Sequence, residues 1–337
     1  MRWKAFVVGS AMGAFLVVGL LGAFRYVDGY WLYRGFKAPR DPAFIRIRRS
    51  GPDPGGTLVP VHRGTLLHLH LRSPALGGLD QLVLVYLPPG YARHPRRRYP
   101  VLYLLHGVPG GPENIVDVGG ATVHEDVLLA ERRIHPLILV MPLGSRGFFG
   151  DTEWADGVSP GNQWDTYVAH DVVTAIDHRF RTIPHGWARG LGGLSEGGYG
   201  ALNIALHHPG EFRLLESWSG YVRAEDIPSV FGTDPDTRRA NSPIDEVTAV
   251  ASVLRATHTF VWFYTSHGRL RSGDAAFARE LARFGVAHRF FLVRGPHNWT
   301  LWRRYMSRSL VAASRHLHPF ARPWVWNLRR TKRARHG

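Results

Sequence analysis

Leu191-Gly192-Gly193-Leu194-Ser195-Glu196-Gly197-Gly198-Tyr199-Gly200 is the stretch on which the reading of this chain turns. It holds the pattern Gly-x-Ser-x-Gly, which marks a tight strand-to-helix turn that pushes a serine hydroxyl outward. A side chain at Gly193 or Gly197 would collide with its neighbours in such a turn, and Ser195 itself would take strained dihedrals. Five-residue patterns recur by chance in a chain with 38 glycines, so the flanks decide the matter. Trp187–Leu194 reads as a buried strand entering the turn, and Ala201–Leu206 as a helix leaving it.

Two further segments support the same fold. Upstream, Tyr99-Pro100-Val101-Leu102-Tyr103-Leu104-Leu105-His106-Gly107-Val108-Pro109-Gly110-Gly111 is an apolar strand running into His-Gly and more glycines. An α/β-hydrolase places there the loop whose backbone N–H forms half of an oxyanion hole. Downstream, Phe290–Val293 reads as a strand, and the loop after it carries His297. The order Ser…His fits this fold and neither the chymotrypsin-like nor the subtilisin-like order.

From about Gly64 to about Ser314 the chain resembles the esterase family of α/β-hydrolases that includes S-formylglutathione hydrolases, feruloyl and enterochelin-type esterases and mycolyltransferases. The matching pieces are Val83–Tyr91, Arg98-Tyr99-Pro100, Leu137–Pro142, the Ser195 turn, His208–Phe212 and Gly295–Trp302, all in the family's order. The resemblance implies a mostly parallel sheet with helices on both faces. It also implies Ser195 as nucleophile, His297 as general base, and the backbone N–H groups of Val108 and Glu196 as oxyanion donors. His106 then buttresses the oxyanion loop. Glu196 stands where family members often carry methionine; its side chain either turns away from the substrate or favours a cationic one.

The orienting acid is less readily placed. The resemblance puts it after the strand Thr259–Thr265, yet Ser266-His267-Gly268-Arg269-Leu270-Arg271 holds no carboxylate. Asp274 comes next and reads as the N-cap of a helix. Glu225 and Asp226, after the preceding strand, are the other candidates, and a serine–histidine dyad would need none.

Composition narrows the classes. With 337 residues, 45% of them hydrophobic, and 11 tryptophans, the chain has enough for one large packed α/β domain. It has no cysteine, so a disulfide framework and a thiolate metal site are excluded. Its net charge of +16 is almost all arginine, scattered along the domain. No nucleic-acid-binding motif accompanies that charge, and nucleic acid is not expected as a partner. His68 and His70 share a strand face without further ligands in a recognisable spacing, and His207-His208 reads as a helix end; neither cofactor nor metal is expected.

Ala5–Phe24 is an uncharged apolar stretch of 20 residues, long enough as a helix to cross roughly 30 Å of hydrocarbon. Arg2 and Lys4 precede it as in an export signal, while Leu20-Leu21-Gly22-Ala23 is a poor cleavage context. An uncleaved single-pass anchor is expected, followed by an aromatic belt of Tyr26, Tyr30, Trp31, Tyr33 and Phe36. Arg25, Arg34, Lys37 and Arg40 lean toward a cytoplasmic domain by simple charge count. The short basic start outweighs them and favours an extracytoplasmic one. The expected organisation is a membrane segment over 1–42, a catalytic domain over 43–320 and a basic tail over 321–337.

Helices are predicted at Val123–Arg133, Trp164–Arg179, Asp274–Phe284 and Trp299–His318. Strands are predicted at Leu66–Leu71, Gln81–Leu87, 101–105, 137–141, 187–194, 259–265 and 288–293. The function expected is cleavage or transfer of acyl groups from esters or acyl lipids at the cell envelope. The rival is an inactive anchored domain that binds a lipid, glycan or protein.

Overall fold

The computed structural model describes residues 17–21, 23, 38–47, 57–147, 150–266, 268 and 270–317. The span Ala5–Phe24 falls mostly outside them, as do the aromatic belt and the basic tail. Among the described residues no helix is long and apolar enough to cross a membrane.

A short antiparallel ribbon, β1 (Phe44–Ile47) with β2 (Thr57–Pro60), precedes an eight-stranded sheet. The sheet strands are β3 (Thr65–Ser73), β4 (Leu79–Leu87), β5 (Val101–Leu105), β6 (Ile138–Pro142), β7 (Arg189–Leu194), β8 (Leu214–Trp218), β9 (Phe260–Ser266) and β10 (Ala287–Val293), in the order β10-β9-β8-β7-β5-β6-β4-β3. β3 and β4 form an antiparallel hairpin turned at Gly77 and Gly78, and β4 also runs antiparallel to β6. The six strands β5 to β10 are parallel.

Burial explains that arrangement. β5, β6, β7 and β8 are buried at every residue, as strands covered on both faces must be. Edge strand β3 alternates between exposed and covered positions instead. On β5, Val101, Tyr103 and Leu105 face one core while Leu102 and Leu104 face the other. The first core packs under α3 (Glu196–His207), α6 (Pro243–Ala256), α7 (Arg271–Arg283) and the helical run Trp164–Thr166, Tyr167–Val172 and α2 (Val173–Arg179). The second packs under α1 (Ala121–Ala130) and α8 (Trp299–Leu317), through Leu128, Met306, Leu310 and Leu317. Each such fully buried side chain contributes about 1.5–3 kcal/mol.

The strand order reverses at β5, which has β6 on one side and β7 on the other. In parallel sheets a crevice opens beyond the strand ends at such a point. Both glycine-rich turns singled out above leave the sheet there, at Leu105 and Leu194.

Some boundaries move. The strand predicted from Trp187 begins at Arg189, because Gly186–Ala188 closes into a turn of 3-10 helix. The helix predicted from Asp274 begins at Arg271, so Asp274 is not its N-cap: Leu270 holds that position and its carbonyl accepts from the Asp274 N–H at 3.0 Å. Three helices between β8 and β9 lie outside the prediction: α4 (Pro228–Phe231), α5 (Pro235–Ala240) and α6.

Candidate active site

Ser195 has φ 54° and ψ −122°, the left-handed strain that a nucleophile turn imposes on a non-glycine residue. Its N–H donates to the Trp218 carbonyl at 3.0 Å, and its own carbonyl accepts from the Gly198 N–H at 2.9 Å. The two flanking glycines are sterically required. A Cβ on Gly193 would lie 2.3 Å from the Gly197 oxygen, and one on Gly197 would lie 2.4 Å from the carbonyl oxygens of Leu105 and His106.

Helix α3 starts at Glu196, so the first backbone N–H groups of a 12-residue helix lie beside the hydroxyl without intrahelical acceptors. Such a terminus favours developing negative charge. Val108, 37% exposed, lines the same cleft beside Gly107. The cleft measures about 230 Å³ and is bounded by Val108, Ser195, His297, Trp299 and Trp302.

His297 arrives from the other side. Asn298 caps α8, its Oδ1 accepting from the Thr300 N–H at 3.0 Å, which fixes the residue before it. The imidazole stands edge-on to Trp302, with ring centroids 5.2 Å apart. Its Nε2 lies 2.9 Å from Ser195 Oγ. The structure thus brings Ser195, His297 and Val108 together from sequence positions almost 200 residues apart.

His106 lines the same cleft but is buried, with its ring held by backbone groups. Its Nε2 accepts from the Gly144 N–H at 3.0 Å and its Nδ1 contacts the Gly107 carbonyl at 3.0 Å. Burial lowers its pKa to about 4, partly offset by that Gly107 contact. The neutral ring therefore donates from Nδ1 and accepts at Nε2. Trp154 completes the support, donating from Nε1 to the His106 carbonyl at 3.1 Å.

The Glu196 side chain is buried, away from the cleft, in the turn holding Thr152 and Glu153. Burial first, then the charges of Asp151 and Glu153, push its pKa well above the usual carboxylate range. Glu153 beside it is raised to about 8, chiefly by burial, and accepts a hydrogen bond from the Tyr221 hydroxyl. This acidic group behind Ser195 has no counterpart in the sequence pattern, because residues 151–153, 196 and 221 meet only in the folded chain.

Of the three candidate acids, Asp274 lies on a different element from Glu225 and Asp226, which are chain neighbours in the loop after β8. Asp274 is buried on α7, where it accepts a hydrogen bond from Thr265; its Oδ2 has no partner, and burial raises its pKa to about 7. Asp226 pairs with Arg238 at 2.9 Å. Glu225 lies in the loop after β8, close enough that its charge raises the Glu153 pKa.

His207 and His208 end α3, far from the hydroxyl. Both ring the buried carboxylate of Asp165, His208 Nε2 at 2.8 Å, and His207 Nε2 also reaches Glu246 at 3.1 Å. His70 Nδ1 lies 3.1 Å from Asp80. Among the described residues no group of three or more His, Cys, Asp or Glu could hold a metal ion.

Comparison with known proteins adds the lineage. The chain is 29% identical over 234 residues to an uncharacterized protein of Corynebacterium glutamicum, covering 65% of this chain and 53% of that protein. It is 34% identical over 155 residues to an esterase of Mycobacterium tuberculosis, covering 46% of this chain and 32% of the relative. The chain therefore spans about half or less of the length of these curated relatives. Among solved structures, a ferulic acid esterase superposes with a TM-score of 0.67 at 22% identity, over 76% of this chain and 100% of that one. That likeness establishes an α/β-hydrolase-like fold. The family described as "Putative esterase" matches residues 73–313, most of the chain. On that match, the chain belongs to this esterase family.

Proposed function

We propose that the protein is a serine-dependent carboxylic ester hydrolase or acyltransferase. One observation carries the reading: the 2.9 Å contact between Ser195 Oγ and His297 Nε2 at a strained, glycine-flanked turn. Ser195 Oγ attacks the ester carbonyl while His297 Nε2 takes its proton, and the N–H groups of Glu196 and Val108 hold the oxyanion. His297 returns that proton to the leaving alkoxide, which leaves an acyl-serine. Water, or an acceptor hydroxyl, then attacks that acyl group with His297 again as base. Hydrolysis and transfer differ only in this second partner. The names of the M. tuberculosis relative and of the ferulic acid esterase support the ester class.

The setting we propose is the cell envelope, with Ala5–Phe24 as a retained single-pass anchor and the catalytic domain outside. The uncharged length of that stretch and the basic Arg2 and Lys4 before it support this. An acyl lipid or an envelope glycoconjugate is then a natural substrate.

A fluorophosphonate probe should label the wild type and leave Ser195→Ala unlabelled, and His297→Ala should lose most turnover of a panel of acyl esters. Equal labelling of wild type and Ser195→Ala would overturn the assignment. Adding acceptor alcohols to the panel separates transfer from hydrolysis. A second reading, an inactive anchored binding domain, draws on the engagement of Asp274 with Thr265 and of Asp226 with Arg238. Absence of both labelling and turnover in the folded protein would favour it.

A further inference from the structure

A second concavity, about 470 Å³, lies beside the catalytic cleft and shares a wall with it. Pro39 and Pro42 supply one apolar side, and Val123 and Val127 of α1 supply the other. Arg40 rims it from the segment entering the domain, and Arg303 and Arg304 rim it from the first turns of α8. Among the described residues, no acidic side chain lines it. Of the carboxylates next in sequence to the lining residues, Asp41 is paired with Arg63 at 2.6 Å, while Glu125 and Asp126 are buried, and burial raises the pKa of both. His124 on its wall contacts Ser307 at 2.9 Å, and burial, with Arg303 nearby, lowers its pKa, so the ring is neutral. Arg304 reaches the Arg294 carbonyl at 3.3 Å and keeps further N–H groups for a ligand.

An apolar floor under a rim of three arginines matches the two-part chemistry of a phospholipid, a phosphate joined to a hydrocarbon body. We propose that this groove binds the headgroup of an anionic phospholipid and seats the domain on a bilayer surface. The ribbon two residues further on favours a bilayer over a dissolved phosphate. Its register sets Phe44 opposite Pro60 and Arg46 opposite Leu58, so Phe44 and Leu58 share one face. They are 61% and 59% exposed, an apolar surface that a membrane interface accepts and water does not reward. The segment is also pinned to the domain: Pro39 packs so closely on Gly120 that a Cβ there would lie 2.4 Å from its ring.

The shared wall gives the site its consequence. Along one helical turn, Trp299 and Trp302 face the catalytic cleft while Thr300, Arg303 and Arg304 face the groove. A headgroup held in the groove keeps the mouth of the cleft within about one helix diameter, roughly 10 Å, of the lipid surface. The inference needs no ester chemistry and stands whether or not Ser195 reacts.

The chain has no cysteine, so one introduced thiol reports a single position. The full chain carrying Leu58→Cys with a fluorophore is reconstituted into phosphatidylcholine nanodiscs, with and without about a third phosphatidylglycerol, plus a headgroup spin-labelled lipid as quencher. Several arginines, each favouring an anionic surface about fivefold, should raise quenching at least about twofold when phosphatidylglycerol is added. A label at Asp236→Cys on α5 should not respond. Arg40→Glu/Arg304→Glu should abolish the rise, while Arg93→Glu/Arg96→Glu, an equal charge change elsewhere, should leave it. Equal quenching in both lipids, an equal rise at position 236, or survival of the rise in Arg40→Glu/Arg304→Glu would each overturn the proposal. Loss of the rise on adding millimolar glycerol phosphate would show a site for free phosphate and would also overturn it.

Discussion

Gly197→Ala is the substitution on which the local reasoning is most exposed. The added methyl carbon would sit 2.4 Å from the carbonyl oxygens of both Leu105 and His106, about 1 Å inside normal contact. Neither neighbour can swing aside, since both are backbone groups and Leu105 is paired in register with Gly193 across β5 and β7. Relief must come from parting the start of α3 from the end of β5. Overpacking of this kind costs about 1–3 kcal/mol, and backbone on both sides puts this case near 3 kcal/mol. For a domain of this size that is a fall in Tm of roughly 6–12 °C. The same displacement opens the 2.9 Å contact between Ser195 and His297, and an error of about 1 Å in such geometry can cost roughly a hundredfold in rate.

Gly273→Ala is the internal control. Gly273 lies in α7, where a Cβ would meet only Val222 Cγ2 at an ordinary 3.4 Å. Alanine there gains about 0.8–1 kcal/mol of helix propensity, so Tm should rise by roughly 2–4 °C. Thermal melts and fluorophosphonate labelling rates measured on both variants decide the matter. Comparable melting temperatures for the two, or an unchanged labelling rate in Gly197→Ala, would refute the steric account of the turn.

Three further outcomes follow from the same geometry. Glu225→Gln, Asp226→Asn and Asp274→Asn should each retain measurable ester turnover; a loss at one of them as deep as that of Ser195→Ala would identify a conventional third member. For His207, burial opposes the charge, but hydrogen bonds to Asp165 and Glu246 outweigh it and raise the pKa from 6.5 to about 11. A raised folded pKa contributes stability that is full below pH about 6.5 and lost as pH climbs through about 11. The Tm gap between wild type and His207→Gln should therefore shrink steadily over that window, and a constant gap would contradict the ion-pair reading. His106→Phe leaves the buried Gly144 N–H without its acceptor and should cost about 1–3 kcal/mol, measured by denaturant titration, while Ser195 and His297 remain in place.

What the sequence reveals and what it hides divides along the range of the interactions. The Ser195 turn is legible because its constraint is local: five residues and two glycines leave a serine few options. The sheet is legible because β5 and β6 are apolar at every residue and β7 is only glycine and leucine beyond Arg189, with helical lengths between them. The helices after β8 lie outside the prediction although a signal was present. Asp234-Pro235 and Ser242-Pro243 each place a capping residue before a proline at the first helical position, and Asp234 does accept from the Asp236 N–H at 3.0 Å. Asp274 misled for the opposite reason: its helix starts at Arg271 behind Leu270, which has no side-chain cap to betray the boundary. The third member of the site stays illegible because the loop after β9 has a histidine and an arginine where a carboxylate would be read.

The acidic cluster behind the nucleophile makes a last demand on the mechanism. A negative charge next to the N-terminus of α3 would compete with the oxyanion that the proposed mechanism places on the same N–H groups, and at an effective dielectric near 20 close like charges repel by a few kcal/mol. Burial eases the conflict: it pushes Glu196 well above the usual carboxylate range and Glu153 to about 8, so Glu153 is largely protonated at neutral pH. As pH rises through about 8, Glu153 ionises, and kcat/KM should fall on an alkaline limb. Folded-state stability should fall over the same rise, from the unfolded carboxylate pKa near 4.5 up to about 8, because the folded site disfavours the charged form. Glu153→Gln keeps a hydrogen-bonding partner for Tyr221 and can never ionise. Its alkaline limb should move to higher pH and its Tm should depend less on pH. A pH–rate profile for Glu153→Gln that superposes on the wild type would show that the cluster does not sense the oxyanion.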